Sequence, residues 1–92
     1  MEMAQRIESK LRAELDPVRL EIRDDSERHH GHAGWQPGGE THFNVVVVST
    51  AFEGRNRVAR QRLVYEILAE ELAEKVHALQ LKTQTPAEAA AG

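Results

Sequence analysis

The stretch HFNVVVVST, His42 to Thr50, constrains the fold more than any other part of the chain. It is β-branched and apolar at both odd and even positions, the pattern of a central strand flanked on both edges. Two other segments can supply the flanks. Val18, Leu20 and Ile22 alternate with Arg19, Glu21 and Arg23, which predicts a strand from Val18 to Asp24. His77, Leu79, Leu81 and Thr83 alternate with Ala78, Gln80 and Lys82, which predicts a third.

The remaining apolar residues keep a helical period. Met3, Ile7, Leu11 and Leu15 step by four and draw one stripe along an amphipathic helix that Asp16 and Pro17 end. After a turn at Ala51 to Gly54, the residues Val64, Leu68, Leu72 and Val76 step by four again, widened by Ile67, and predict a short helix running into a longer one. Thr85, Pro86 and Glu88 form an N-cap, a first-turn proline and a capping-box partner for a short terminal helix. The alanines that follow have little to bury, so 87–92 is expected to be a frayed tail behind a single domain at 1–86. Residues 25–41 hold Gly31, Gly34, Pro37, Gly38 and Gly39 with almost no apolar content, and read as a long loop.

The resulting order is α-β-β-α-α-β-α. A hairpin makes the first two strands antiparallel, and a right-handed helical crossover makes the second and third parallel. The expected fold class is therefore α+β, with a three-stranded mixed sheet and helices packed on one face.

Composition narrows the function. The chain has no cysteine among its 92 residues, which excludes a disulfide scaffold, a thiol nucleophile and any zinc or iron–sulfur site built from its own thiolates. A formal charge of −3 removes a global attraction to nucleic acid while leaving room for a local basic patch. The longest apolar run is only Val45 to Val48, and acidic and basic residues mix from Glu2 to Arg12, so a cytoplasmic chain without a membrane span or leader is expected. No nucleophile elbow or Walker loop is present, and acid–base work by a lone histidine has no positive support.

Five histidines remain to be explained. The expected topology puts the long loop and the starts of the second and third strands at one edge of the sheet, where His29, His30, His32, His42 and His77 can converge. Each also has a plain structural reading. His77 shares parity with Leu79 and Leu81 and fits a partly buried, hydrogen-bonded residue as well as a ligand. His42 beside Phe43 reads as structural, and the loop histidines read equally as solvated residues or ligands. The HHGH stretch alone is a weak zinc signal. Trp35 fits loop packing. Arg55, Arg57, Arg60 and Arg62 read as a solvated helix face or as a contact for phosphate or an acidic partner.

The run from Thr41 through Tyr65, together with SERHHGHAG at Ser26 to Gly34 and VHAL at Val76 to Leu79, resembles the BolA family, and the resemblance covers nearly the whole chain. It implies the fold of class II KH domains. It also implies a non-enzymatic adaptor that partners a monothiol glutaredoxin and shares a bridging 2Fe-2S cluster. The sulfur ligands would come from the glutaredoxin cysteine and glutathione, and the nitrogen ligands from this chain. His77 matches the family's strand ligand and His29 its loop ligand, with His32 as rival. The isolated chain is then expected to be a monomer or weak dimer. The alternative is a KH-like nucleic-acid-binding transcriptional regulator working through Arg57, Arg60 and Arg62. Two departures bear on that alternative: Gln61 stands where the family commonly has histidine between two arginines, and Gly54 to Arg57 reads GRNR, without the second glycine of a KH phosphate loop.

Overall fold

A computed structural model describes residues 2–24 and 42–91 of the chain. The expected long loop, with His29, His30, His32 and Trp35, lies outside the described residues.

The first helix, α1 (Glu2–Leu15), buries the stripe read from its spacing: Met3, Ile7, Leu11 and Leu15 are all at most 5% exposed. Asp16 ends it with φ 43°, its amide still bonded to the Arg12 carbonyl, and Pro17 prevents the helix from resuming. Strand β1 (Arg19–Asp24) follows and pairs antiparallel with β2 (His42–Val48). Strand β3 (Ala78–Gln84) pairs parallel with β2 on its other side, so the order is β1-β2-β3 and the apolar stretch is the central strand. On β2, Phe43, Val45 and Val47 are buried with α1, while His42, Asn44 and Val46 on the opposite parity are half-buried. There Asn44 donates to the Gln80 side chain across the strands at 3.1 Å.

A 3-10 turn at Thr50–Phe52 leads to Gly54, whose φ of +77° is a left-handed conformation that residues other than glycine adopt at a cost. Two helices then cross over the sheet, α2 (Arg57–Ile67) and α3 (Ala69–Glu74). The longer one comes first, with 11 residues against 6, the reverse of the order expected from the repeat. The continuous four-residue step hid the break. Buried Leu68 leaves helical geometry at φ −100° and ψ 19°, yet its amide bonds Val64 and its carbonyl accepts from Leu72. The stripe therefore runs through the bend, and α1 packs against both helices. Phe52, Val64, Leu68 and Val76 complete the core. The terminal helix α4 (Pro86–Ala91) starts with the expected capping box: Glu88 accepts from the Thr85 amide at 3.0 Å and its own amide donates to Thr85 Oγ1 at 3.2 Å.

Ser49 joins three of these elements. Fully buried, its hydroxyl donates to the Leu15 carbonyl and accepts from the Ala51 amide, while its own amide donates to the Gln84 carbonyl. Ser49→Ala leaves the end of α1 without that donor and the 3-10 turn without its cap, so a loss of about 1–3 kcal/mol is expected. Urea denaturation at unchanged m-value checks it, and an unshifted midpoint contradicts it.

Candidate functional site

Parallel pairing of β2 with β3 decides what meets at one end of the sheet. His42 opens β2 opposite Ala78, and His77 is the residue just before Ala78. The two imidazoles consequently stand edge to face, with ring centroids 6.4 Å apart and planes at 76°. His77 is exposed and His42 half-buried. Asp24 and His42, which flank residues 25–41, stand at this same end, since Asp24 pairs opposite Phe43. Sequence position beside Phe43 reads His42 as structural; the structure sets its ring against that of His77. The signal that finds it is the parallel register, which places residues preceding or opening both strands side by side. Exposure of His77 also removes the reading of it as a partly buried structural residue. His29 and His32, the loop ligands implied by the resemblance, lie outside the described residues.

Among the described residues no three of His, Cys, Asp or Glu come together in a way that could hold a metal ion. The donor set at this end is thus a pair of imidazoles with no thiolate. Such a set can supply one exposed nitrogen donor, His77, to a centre whose remaining ligands come from elsewhere.

The arginines divide. Arg60 was expected on an exposed face with Arg57 and Arg62, and that expectation is corrected: its side chain is only 12% exposed. Its Nη1 and Nη2 grip the two Glu88 oxygens at 2.7 and 3.0 Å, and Nη1 also reaches the Thr83 carbonyl at 3.3 Å. Its guanidinium lies 5.8 Å from the Phe52 ring centroid. Two residues along a helix is about 200° of rotation, so burying Arg60 turns Arg62 outward. The Arg60 hydrogen bonds, with the Thr85 amide, hold the Glu88 carboxyl down to about 2, and Glu88 in turn raises the Arg60 guanidinium. Arg57 and Arg62 are exposed and have no ion pair among the described residues.

This split carries a prediction. Arg60→Glu sets two carboxylates against each other, unpins α4 from α2 and is expected to lower the melting temperature, whereas Arg62→Glu is expected to leave it unchanged. Equal melts for the two variants would contradict the assignment.

Arg60 bonds Thr83 near the far end of β3, and His77 precedes its near end. At about 3.3 Å per residue, seven residues separate the two ends of this strand by about 20 Å. The histidine pair and the start of α2 are therefore at opposite ends of the sheet.

A family profile described as BolA-like protein matches residues 11–88. The chain is 49% identical over 87 residues to SufE-like protein 1, chloroplastic/mitochondrial, and 52% identical over 87 residues to protein BOLA1, chloroplastic, both of Arabidopsis thaliana. These matches cover 90% and 92% of this chain but only 24% and 54% of those relatives. It is 49% identical over 85 residues to the DNA-binding transcriptional regulator BolA of Escherichia coli, covering 92% of this chain and 77% of that protein. The solved structure of BolA1 from Arabidopsis thaliana superimposes with a TM-score of 0.83 at 52% identity, over 92% of this chain and 93% of that one. No helix among the described residues is long and apolar enough to cross a membrane. With chloroplastic and mitochondrial forms among the relatives, location does not follow from family.

Proposed function

The chain belongs to the BolA-like family, and on that premise we propose that it is a non-catalytic adaptor which joins a monothiol glutaredoxin and glutathione around a bridging 2Fe-2S cluster, in cluster trafficking or iron homeostasis. The observation that carries this reading is the pairing of His42 with His77 at the end of the sheet flanked by Asp24 and His42. His77 is the strand ligand, exposed and backed by a fixed sheet. His29 is the loop ligand, with His32 as its rival. His42 sits against the His77 ring and orients it, the part that neighbours of a metal-bound imidazole commonly play.

The cluster is cargo here. Imidazole on one iron and thiolate on the other resembles Rieske ligation, which raises the reduction potential relative to an all-thiolate cluster. What this chain contributes is two neutral nitrogen donors on separate segments, so that one can let go while the other holds. Only unprotonated imidazole binds metal, so acidification is expected to weaken the assembly. The experiment is to mix the chain with cluster-loaded glutaredoxin and glutathione and to follow visible absorption and circular dichroism. A new mixed-ligand spectrum supports the proposal; a spectrum that remains that of the glutaredoxin alone rejects it.

The second reading is nucleic-acid binding, favoured by exposed Arg57 and Arg62 and by the name of the Escherichia coli relative. Against it stand the missing second glycine at Gly54 to Arg57 and the neutralisation of Arg60 by Glu88. Salt separates the two readings, because phosphate binding weakens steeply as salt rises, in proportion to the number of contacts.

A further inference from the structure

The face of α2 turned away from the core is not a uniformly polar one. Val58, Arg62 and Tyr65 follow the spacing i, i+4, i+7 and so share a single stripe. Val58 is 54% exposed and Tyr65 43%, two of only three large apolar side chains so exposed among the described residues. The core-facing residues Arg60, Val64 and Ile67 lie on the other side of the helix. Beside this stripe, on the flank away from Tyr65, runs an open groove of about 340 Å³ bordered by Arg55, Val58, Ala59, Arg62, Leu63 and Glu66.

Charge singles out the same place. Arg6, Lys10, Arg12, Arg19 and Arg60 each have a carboxylate partner; Arg55, Arg57 and Arg62 have none among the described residues, and of the other unpaired cations Lys75 and Lys82 stand singly at the end of α3 and on β3. In a chain of formal charge −3, unpaired positive charge gathers around an exposed valine and tyrosine. A polyanion such as a phosphate backbone would use the arginines and gain nothing from Val58 or Tyr65. A protein segment with acidic residues and an apolar anchor uses both the arginines and the exposed apolar pair.

We infer that this face of α2 is a docking surface for an acidic amphipathic helix of a protein partner, its apolar anchor seated against Val58 and Tyr65 and its carboxylates against Arg55 and Arg62. Helix-in-groove recognition reads anchors at this spacing, and long-range attraction between opposite charges speeds the encounter. The surface starts, at Arg55 and Arg57, at the end of the sheet away from His42 and His77, and it shares no residue with the histidine pair. An adaptor so built holds two partners at once.

The test is an NMR titration of the 15N-labelled chain with a synthetic helical peptide of glutamates and leucines at helical spacing, and separately with a short DNA duplex. The expected result is saturable shifts of amides between Arg55 and Glu66 with the peptide and none at His77. Val58→Ser and Arg62→Glu should each weaken peptide binding by about tenfold, the size of effect expected for an anchor residue. His77→Ala should leave it unchanged, which separates failure of this surface from failure of the cluster site. Thermal melts confirm that the exposed substitutions leave the fold intact. Absence of saturable shifts, shifts elsewhere on the surface, or tighter binding of DNA at the same amides with no response to Val58→Ser would each overturn the inference.

Discussion

His77→Ala is expected to abolish the mixed-ligand spectrum formed with cluster-loaded glutaredoxin. The reason is positional. His77 is exposed at the mouth of β3, with its backbone held next to the central strand and its ring against His42, and no cysteine anywhere in the chain can replace it. His29→Ala is expected to do nearly the same and His30→Ala little, while His32→Ala should matter chiefly when His29 is also absent. His42→Ala is expected to weaken assembly by about tenfold without abolishing it, the usual scale for a residue that orients a ligand. Titrating each variant into cluster-loaded glutaredoxin and recording circular dichroism gives the series. A wild-type spectrum from His77→Ala would remove the histidine pair from the site and give nucleic-acid binding the higher rank.

The second large effect concerns a charge the family reading does not use. The side chain of Glu71, on α3, is wholly buried against α1, between Arg6 at 2.9 Å and Lys10 at 3.0 Å. Burial pushes its carboxyl up, but hydrogen bonds from Lys10 and its own amide, with the Lys10 and Arg6 charges, outweigh burial and leave it below its ordinary value. A carboxyl lowered in the folded state stabilises the fold above its unfolded pKa and loses that contribution as pH falls. Arg6→Met with Lys10→Met removes both cations and leaves the burial. The Glu71 carboxyl is then raised, so its contribution is retained at low pH and lost as pH rises. The expected result is stability that falls as pH rises from about 5 to 7 in the double variant, where the wild-type contribution of Glu71 is level, and a loss of about 3–5 kcal/mol near neutrality from an uncompensated buried carboxylate. Adding Glu71→Leu should recover most of it, since a buried ion pair can often be replaced by apolar residues at little net cost. Urea midpoints across this range decide the matter, and parallel pH profiles for wild type and double variant would contradict the account.

The elements that could be read directly were those written in short-range periodicity. The α1 stripe is buried residue for residue, the strand alternation places β1 and β3 beside β2, and the capping box at Thr85 and Glu88 forms as spaced. The α2–α3 boundary was not readable, because Leu68 stays in the hydrophobic repeat while its backbone leaves the helix. Arg60 was misread for a related reason. A helix position with one arginine on either side looks solvated until a glutamate 28 residues later closes on it.

What the sequence determined by itself is therefore the set of elements, the central place of HFNVVVV and the class of fold, since each rests on which side chains share a face over a few residues. From the same information came the expectation that strand starts gather at one end. Tertiary structure alone decided which partners are taken: His42 for His77, Glu88 for Arg60, Arg6 and Lys10 for Glu71. It also separated the histidine end from the start of α2 by the length of a strand. The physical reason is that amphipathic periodicity is a local sum over neighbours, whereas a specific pair between distant residues exists only once the packed backbone has set the distance and angle between them.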